Sequence, residues 1–354
     1  MPITVKDVAV SAEVSLGTVS RVLNGDPSVS SDVRQRVRQA VETLGYRRLR
    51  SRGRNHVTAP LKGRNIALVM LGMDRSLVEL PSVAVAIHGV EAALKELGAN
   101  LLLVDIPRAD QLPSALARNR IDGLLLKGAL QGGLLQNGNP ALLERLGQIP
   151  TVWFLGKPDG AWGDVVQSND RSVGQMAAQH LWDHGHRQLA FLSPKPGQTT
   201  FSQRQAEFEW HACRLGAQVV NVLGQDSDWQ LPLLPVDTVA SVDGLVDQLL
   251  SLPNRPTGVF VPGDAVAAMV YRAFAKRGLQ IGREMSLISC NNEATLLTGL
   301  YPNPATIDIH ASSIGRRAVD QLIWRLGHWD APQNDIGIEP TLIQGESVAR
   351  VKPA

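Results

Sequence analysis

The sequence predicts a small three-helix head joined to a large α/β body made of two doubly wound subdomains. Apolar residues recur at helical spacing in three short segments of residues 4–46, and this spacing is missing in residues 47–64. From Asn65 onward, short β-rich runs alternate with helical segments, which is typical of parallel strands joined by helices. With 354 residues, 44% of them hydrophobic, the chain can bury at least one large core.

The head follows from its caps and apolar faces. A first helix is expected after the capping residue Thr4 and extends to about Glu13, and a second ends at about Leu23. A third helix begins at Ser30 or Ser31. The residues predicted to form its small core are Val5, Val8, Ala9, Ala12, Val19, Val22, Leu23, Val33, Val37, Ala40, Val41 and Leu44.

The body is predicted from two series of strands. The first series reads IALVML, NLLLVD, RIDGLLLKG and TVWFL, and the second reads RQLAFLS, AQVVNV, TGVFVP and SLISC. Each doubly wound unit has a ligand-competent edge at the carboxyl ends of its strands. We therefore expect a binding cleft between the two units.

Charge is divided unequally between the two parts. Residues 1–64 contain 12 basic and 5 acidic residues, a net charge of +7, whereas the remainder carries −5. This division favours a nucleic-acid contact, because phosphate attracts the head and repels the body. Attachment of the head to RNA or to a membrane surface is the alternative.

Several protein classes are disfavoured by the sequence. No apolar run approaches the roughly 18 residues that a membrane span needs, and we expect a cytoplasmic protein. Cys213 and Cys290 are predicted to be buried small hydrophobes rather than disulfide or zinc ligands. Neither a phosphate loop nor a nucleophile elbow occurs, so we expect no enzyme and no cofactor. Three histidines have a spacing that could suit a metal: His180, His184 and His186. This spacing is better explained by the end of a helix before Gly185.

The segment SLGTVSRVLN, residues 15–24, carries the strongest functional signal. In a helix from Leu16, residues 16, 17, 20, 21 and 24 face outward. Gly17 allows close backbone approach, hydroxyls suit phosphates, and Arg21 can reach base edges, with guanine as its favoured partner. A solvated polar helix face is the alternative.

The run TVKDVAVSAEVSLGTVSRVLNGDPSVSSDVRQRVRQAVETLGY resembles the DNA-binding head of LacI/GalR-family transcription regulators, and the resemblance continues through the rest of the chain. It implies a helix-turn-helix whose second helix enters the major groove, with Leu16, Gly17 and Arg21 reading bases. The phosphate contacts that it implies are Thr4, Ser15, Thr18, Ser20, Asn24 and Ser30.

The head departs from the family pattern at two places. Glu13 stands where the family commonly has glycine, at a cost of about 1 kcal/mol if the backbone is left-handed there. After Tyr46, arginines replace the proline, alanines and leucine of the family's hinge helix. We expect the arginines of this linker to hold phosphates or the minor groove: Arg50, Arg52 and Arg54.

By the same resemblance, the body is a periplasmic-binding-protein-like effector domain whose chain crosses three times between the subdomains. The boundaries expected are 1–46 for the helix-turn-helix head, 47–64 for the basic linker and 65–354 for the effector-binding and dimerisation domain, with 65–163 and 292–325 in the N-subdomain and 164–291 and 326–350 in the C-subdomain.

The resemblance also implies effector contacts. In the C-subdomain, Arg204 is the strongest candidate, with an exposed arginine as the alternative. Asn291 and Asn292 replace an acidic pair, and Asp264 is kept although Gly263 replaces an asparagine. Trp229 is placed to cover a sugar ring, or else belongs to the core.

In the N-subdomain, the candidates are Lys127, Lys157 and Asp74. Together with Arg204, the two lysines suit an anionic ligand such as a sugar acid or phosphosugar, unless all three face solvent. The resemblance as a whole implies a repressor controlled by a small metabolite, a sugar or sugar derivative, that binds a near-palindromic operator as a homodimer.

Overall fold

The computed structural model describes residues 5–23, 29–44, 60–74, 80–118, 120–225, 230–232 and 239–351. It divides the chain into two compact units, Met1–Thr58 and Ala59–Ala354. Within the described residues, no helix is both long and apolar enough to cross a membrane.

Among its described residues, the first unit contains three helices, as the sequence predicts. They are α1 (Val5–Ser11), α2 (Leu16–Leu23) and α3 (Ser31–Thr43). The predicted apolar faces meet in one core, where the buried members are Val8, Ala9, Ala12, Val19, Val37 and Ala40. This core is small, so a change of about 1 kcal/mol is a large fraction of the free energy of unfolding of the unit.

The turn between α1 and α2 contains a non-glycine residue in left-handed conformation. Glu13 has φ = 51°, which confirms the strained backbone expected at this position. Its backbone N–H donates to the carbonyl of Val10 at 3.2 Å, and its side chain is exposed. The turn therefore has left-handed backbone at Glu13 without glycine, the residue that adopts this conformation most easily.

The second unit is built on two six-stranded sheets. The first sheet has the order β11-β5-β4-β3-β1-β2 and all of its pairs are parallel. Its strands are β1 (Asn65–Leu71), β2 (Asn100–Ile106), β3 (Gly123–Gly128), β4 (Thr151–Phe154), β5 (Asp164–Ser168) and β11 (Asp335–Ile338). Strands β3 and β4 are buried throughout, as expected of a parallel sheet covered on both faces.

The second sheet has the order β12-β10-β9-β8-β6-β7, with only the β10–β12 pair antiparallel. Its strands are β6 (Gln188–Ser193), β7 (Gln218–Leu223), β8 (Gly258–Phe260), β9 (Ser286–Cys290), β10 (Ala305–Asp308) and β12 (Thr341–Ile343). The chain crosses between the sheets after β5, after β10 and after β11. These are the three crossings that the resemblance implies.

Three strands join a different sheet from the one that the expected subdomain boundaries assign. Strands β5 and β11, expected in the C-subdomain, extend the first sheet, and β10, expected in the N-subdomain, extends the second. The reason is backbone pairing: β5 continues the parallel ladder of β4, and β10 continues that of β9. Each crossing therefore comes a strand later than expected.

Helices cover both faces of the sheets. Their bounds are α4 (Pro81–Glu96), α5 (Ser114–Arg118), α6 (Leu134–Asn137), α7 (Pro140–Gly147), α8 (Asp170–Asp183), α9 (Thr199–Leu215), α10 (Val239–Ser251), α11 (Asp264–Lys276), α12 (Ala294–Leu297) and α13 (Ala311–Gly327). Helices α4 and α13 pack closely through glycine. A Cβ on Gly315 would lie 2.0 Å from the carbonyl oxygen of Ala86, so only glycine fits this contact.

A buried ion pair joins α13 to β5. The Arg325 guanidinium binds the Asp164 carboxylate through two nitrogens, and Gln321 Nε2 donates to the same carboxylate at 2.8 Å. Burial opposes ionisation of Asp164, but these hydrogen bonds outweigh it and lower its pKa.

The structure shows the surroundings of the two cysteines and of the segment around Gly185. Cys290 is buried as predicted, but the prediction for Cys213 is wrong, because it lies on the exposed side of α9. Gly185 ends the segment after α8 with φ = 89°. His186 is buried between Thr257 Oγ1 at 2.8 Å and the carbonyl of Ala349 at 3.1 Å, an arrangement that ties the C-terminal segment to the sheet.

Candidate functional site

The second helix of the head presents its first turn to solvent. Ser15 precedes α2 and its Oγ accepts a hydrogen bond from the Thr18 N–H at 3.1 Å, which satisfies one free amide of the helix. Leu16 is 52% exposed and Gly17 is exposed, whereas Val19 is fully buried. The first turn of α2 is therefore anchored by its inner face and free on its outer face.

The remaining head residues divide by what the structure describes. Ser30 is the exposed N-cap residue of α3, and its hydroxyl makes no cap hydrogen bond, so it can bind a phosphate. Ser20 and Arg21 lie in α2, although their side chains are not described. Outside the described residues are Thr4, Asn24, Arg50, Arg52 and Arg54.

The second unit contains a cavity of about 530 Å³ between its two sheets. This volume is typical of sites for small molecules. Its wall is formed where parallel strands end and helices begin, as expected of doubly wound folds. Arg204, Asn291, Lys127 and Lys157 all line it, so the structure brings these four predicted residues together.

Arg204 is buried in the cavity wall, with 3% of its surface exposed. Its Nε donates to Asp170 Oδ1 at 2.8 Å, and its Nη1 donates to the carbonyl of Pro262 at 2.6 Å and to Asn291 Oδ1 at 3.0 Å. Burial disfavours its charge, but Asp170 outweighs this and raises the pKa of Arg204. The guanidinium is thus a fixed, permanently charged part of the wall.

Asn291 and Asn292 form the strained turn after β9. Both have left-handed backbone, with φ of 112° and 57°. Asn292 Nδ2 donates to Asp308 Oδ2 at 3.0 Å, while Asn291 Nδ2 donates to Glu293 Oε1 at 3.4 Å. Asparagine tolerates positive φ better than most residues, and hydrogen bonds to Arg204 and Glu293 hold the Asn291 amide at the cavity.

Asp264 lies behind the wall rather than in it. It is fully buried and its carboxylate accepts from Ser289 Oγ, from Thr306 Oγ1 at 2.9 Å and from the Glu293 N–H at 2.7 Å. Burial raises the pKa of Asp264 to about 6, although these hydrogen bonds oppose the shift. The expectation that Asp264 contacts the effector is therefore replaced by a supporting role, since its oxygens are occupied by neighbouring segments.

The two predicted lysines enter the cavity from the first sheet. Lys127 Nζ donates to the carbonyls of Leu155 at 3.1 Å and Gly128 at 3.3 Å, and burial lowers the pKa of Lys127 to about 8. Lys157 Nζ donates to the carbonyl of Gly163 at 3.0 Å and to Gln333 Oε1 at 2.9 Å. Burial lowers the pKa of Lys157, and Asp335 and Asp164 partly offset it.

The last two predicted contacts do not enter the described wall. Asp74 is half-buried after β1 and lies outside the cavity lining, which at this point is formed by Met73. Trp229 lies outside the described residues. In the described part of the chain, no group of three or more histidine, cysteine, aspartate or glutamate side chains could hold a metal ion. This includes the histidine trio His180, His184 and His186.

Five charged residues of the wall are missing from the predicted set: Asp159, Asp170, Lys195, Glu293 and Asp335. Glu293 is buried, and its Oε1 accepts from the Ser82 N–H in the first turn of α4 at 3.2 Å. Burial raises its pKa, while Ser82 opposes the shift. Asp170 and Lys195 directly follow the β5 and β6 segments, so their positions after β-rich runs are a signal that could have identified them.

Comparison with protein families gives two matches. Residues 4–48 match the model described as bacterial regulatory proteins, lacI family, and residues 178–348 match the periplasmic binding protein-like domain. The first match covers the three helices of the head, and the second covers all six strands of the second sheet together with residues that line the cavity.

Relatives align along nearly the whole chain. The HTH-type transcriptional repressor PurR of Mannheimia succiniciproducens is 28% identical, over 98% of this chain and 99% of the relative. The ribose operon repressor of Escherichia coli K12 is 27% identical, over 96% and 98%. Among solved structures, the lac repressor dimer bound to operator and the anti-inducer ONPF aligns with a TM-score of 0.64 at 19% identity, over 99% and 100% of the two chains.

Proposed function

Because this chain is a member of the lacI family of bacterial regulatory proteins, we propose that it is a repressor that binds operator DNA with its head and a small metabolite with its body. Two relatives along the full length are named as repressors, one of them of a ribose operon. A sugar or sugar derivative is accordingly the effector class that we assign to the cavity. The relatives favour a regulator over an enzyme.

The observation that carries this proposal is the exposed first turn of α2. An exposed Leu16 offers a methyl-rich surface that suits thymine, and the exposed Gly17 lets the helix backbone approach base edges. Arg21 follows one turn later, at a spacing that suits a guanine contact. Ser30 adds a hydroxyl at the start of α3 for the phosphate backbone.

We propose further that two copies act together. A twofold dimer presents two α2 helices to two half-sites, so the operator is expected to be a near-palindrome. The solved lac repressor structure holds a dimer on its operator. We expect a protein that binds operator DNA to act in the cytoplasm.

Control by the effector follows from the position of the cavity. A chain of hydrogen bonds runs from Arg204 through Asn291 and Glu293 to the Ser82 N–H, from the second subdomain to the first. A ligand that binds Arg204 or Asn291 favours one arrangement of the two subdomains over another. We expect this to change operator affinity by about 1–3 kcal/mol.

The proposal is tested by operator affinity of single variants. We expect Arg21→Ala to weaken binding to an inverted-repeat duplex by about tenfold to a hundredfold, and to relax base preference at one position of each half-site. Arg120→Ala is the matched control, because this arginine of the second unit is 90% exposed and removes the same charge. Equal effects of both variants, or tighter binding to RNA or anionic vesicles than to duplex DNA, would contradict the proposal.

A further inference from the structure

Lys127 is a buried cation without a counter-charge. Its side chain is only 8% exposed, and its ammonium contacts two carbonyl oxygens. No carboxylate among the residues that the structure describes forms an ion pair with it. Burying an ammonium without an opposite charge is costly, and the cost falls when an anion binds beside it.

The other buried charges of the cavity wall are matched. Arg204 is paired with Asp170 at 2.8 Å. Lys157 lies in the field of Asp335, which favours its charged form. The carboxylate of Glu293 accepts from an amide at the start of α4, where the helix dipole stabilises negative charge. Lys127 therefore differs from Arg204, Lys157 and Glu293, whose charges are already compensated by the protein.

The amino end of α9 lies next to the segment that follows Lys127. Gln131, four residues after Lys127, donates its Nε2 to Thr199 Oγ1 at 3.2 Å, and Thr199 is the first residue of this 17-residue helix. The Gln198 side chain caps the Phe201 N–H at 3.1 Å. Among the described residues, no acceptor binds the Thr199 N–H, so this end of α9 can still donate to an anion.

A half-buried lysine adds to the positive wall on the same side of the cleft as α9. Lys195 follows β6 and lines the cavity, and burial lowers its pKa. Within the described part of the chain it forms no ion pair. Carboxylates of Asp170 and Glu293 face the same cavity and can accept hydrogen bonds from hydroxyl groups.

We propose that the effector is an anionic polyol, a sugar acid or a sugar phosphate, whose carboxylate or phosphate binds Lys127 against the first turn of α9. Its hydroxyl groups donate to Asp170 and Glu293 and accept from Arg204. This inference rests on the proposed function, since it names the class of metabolite that the cavity receives.

The test compares charged and neutral probes by thermal unfolding of the full chain at constant ionic strength. The probe pairs are D-gluconate with D-glucose and D-ribose 5-phosphate with D-ribose, and inorganic phosphate is added as the bare anion. We expect a saturable rise in Tm with at least one anion and a smaller one with its neutral partner. Gluconate and ribose 5-phosphate distinguish a carboxylate from a phosphate as the bound group.

Variants then assign the effect to the lysine. Lys127→Met is expected to weaken anion binding by about tenfold or more, because a charge-assisted contact is lost. Lys127→Arg keeps the charge and is expected to retain part of the affinity. Lys95→Met is the matched control: it removes the same charge from the exposed side of α4 and is expected to leave anion binding unchanged. If Lys127→Met does not fold, Lys127→Gln serves in its place.

Three results would overturn the inference: no anion raises the Tm, a neutral sugar raises it as much as its charged partner, or anion binding is the same with and without the Lys127 ammonium. Binding of the wild-type chain to inverted-repeat DNA is measured in the same preparations. If that binding is present while the anion test fails, only the effector class is wrong. If DNA binding is absent, the proposed function itself fails.

Discussion

Replacing Glu13 by glycine is expected to stabilise the three-helix unit by about 0.5–1 kcal/mol. Glu13 has φ = 51°, and left-handed backbone costs a residue with a Cβ about 1–2 kcal/mol. Glycine removes this cost, but it also loses about 0.5–1 kcal/mol through the greater freedom of the unfolded chain. The Glu13 side chain is exposed, so its removal sacrifices no buried contact.

Hydrogen exchange of the full chain measures this effect where it occurs. Amides of α1, α2 and α3 in Glu13→Gly should exchange about two- to fivefold more slowly than in the wild type, because 1.4 kcal/mol corresponds to a factor of ten. Amides of the second unit serve as internal reference. Glu13→Ala is the matched control, since it removes the side chain but keeps the Cβ and the strain, and its exchange should equal that of the wild type. Faster exchange in Glu13→Gly, or equal slowing in Glu13→Ala, would refute the strain argument.

Three more predictions concern packing, pH and salt. Gly315→Ala should lower the free energy of unfolding of the second unit in urea by about 1–3 kcal/mol, because its Cβ would meet backbone of α4, whereas Gly327→Ala in the same helix has open space and should cost nothing; equal effects would count against close helix packing. Burial lowers the pKa of His186 to about 4, so its stabilising neutral state is complete above about pH 6.5 and is lost as the pH falls towards 4; unfolding in urea across this range should show a shallower loss for His186→Gln, and parallel curves would contradict this. Replacing Arg50, Arg52 and Arg54 together by glutamine should reduce the slope of log operator affinity against log salt by about 2–3 for each bound chain. An unchanged slope would exclude phosphate contacts of these linker arginines.

Local sequence signals predicted the head well. Its helices are set by caps and by apolar faces within a few residues of each other, so spacing alone identifies Val8, Val19 and Val37 as core. The left-handed backbone at Glu13 was expected from the family resemblance, because the family commonly has glycine at this position. The first helix ends at Ser11, two residues before the predicted end at about Glu13, because Glu13 already belongs to the turn between α1 and α2.

The cavity was predicted only in part, because its wall depends on contacts between distant segments. Asp264 resembles a ligand contact in sequence, yet Ser289 and Thr306 occupy its carboxylate from two other strands. The alternation of strands and helices predicted two sheets but not which sheet β5 or β10 would join. A strand at the edge of either sheet has the same sequence pattern, and only backbone pairing shows which sheet it joins. Glu293 was missed because the helix end that binds it lies 211 residues earlier in the chain.

The most direct test of the central claim, that α2 reads bases in duplex DNA, is a selection from random duplexes with the wild type in parallel with Leu16→Ala and Gly17→Ser. We predict that every protein enriches an inverted repeat, and that the two variants change base preference only at symmetric positions within each half-site. Enrichment of no inverted repeat by the wild type, or the same preference from all three proteins, would contradict the account.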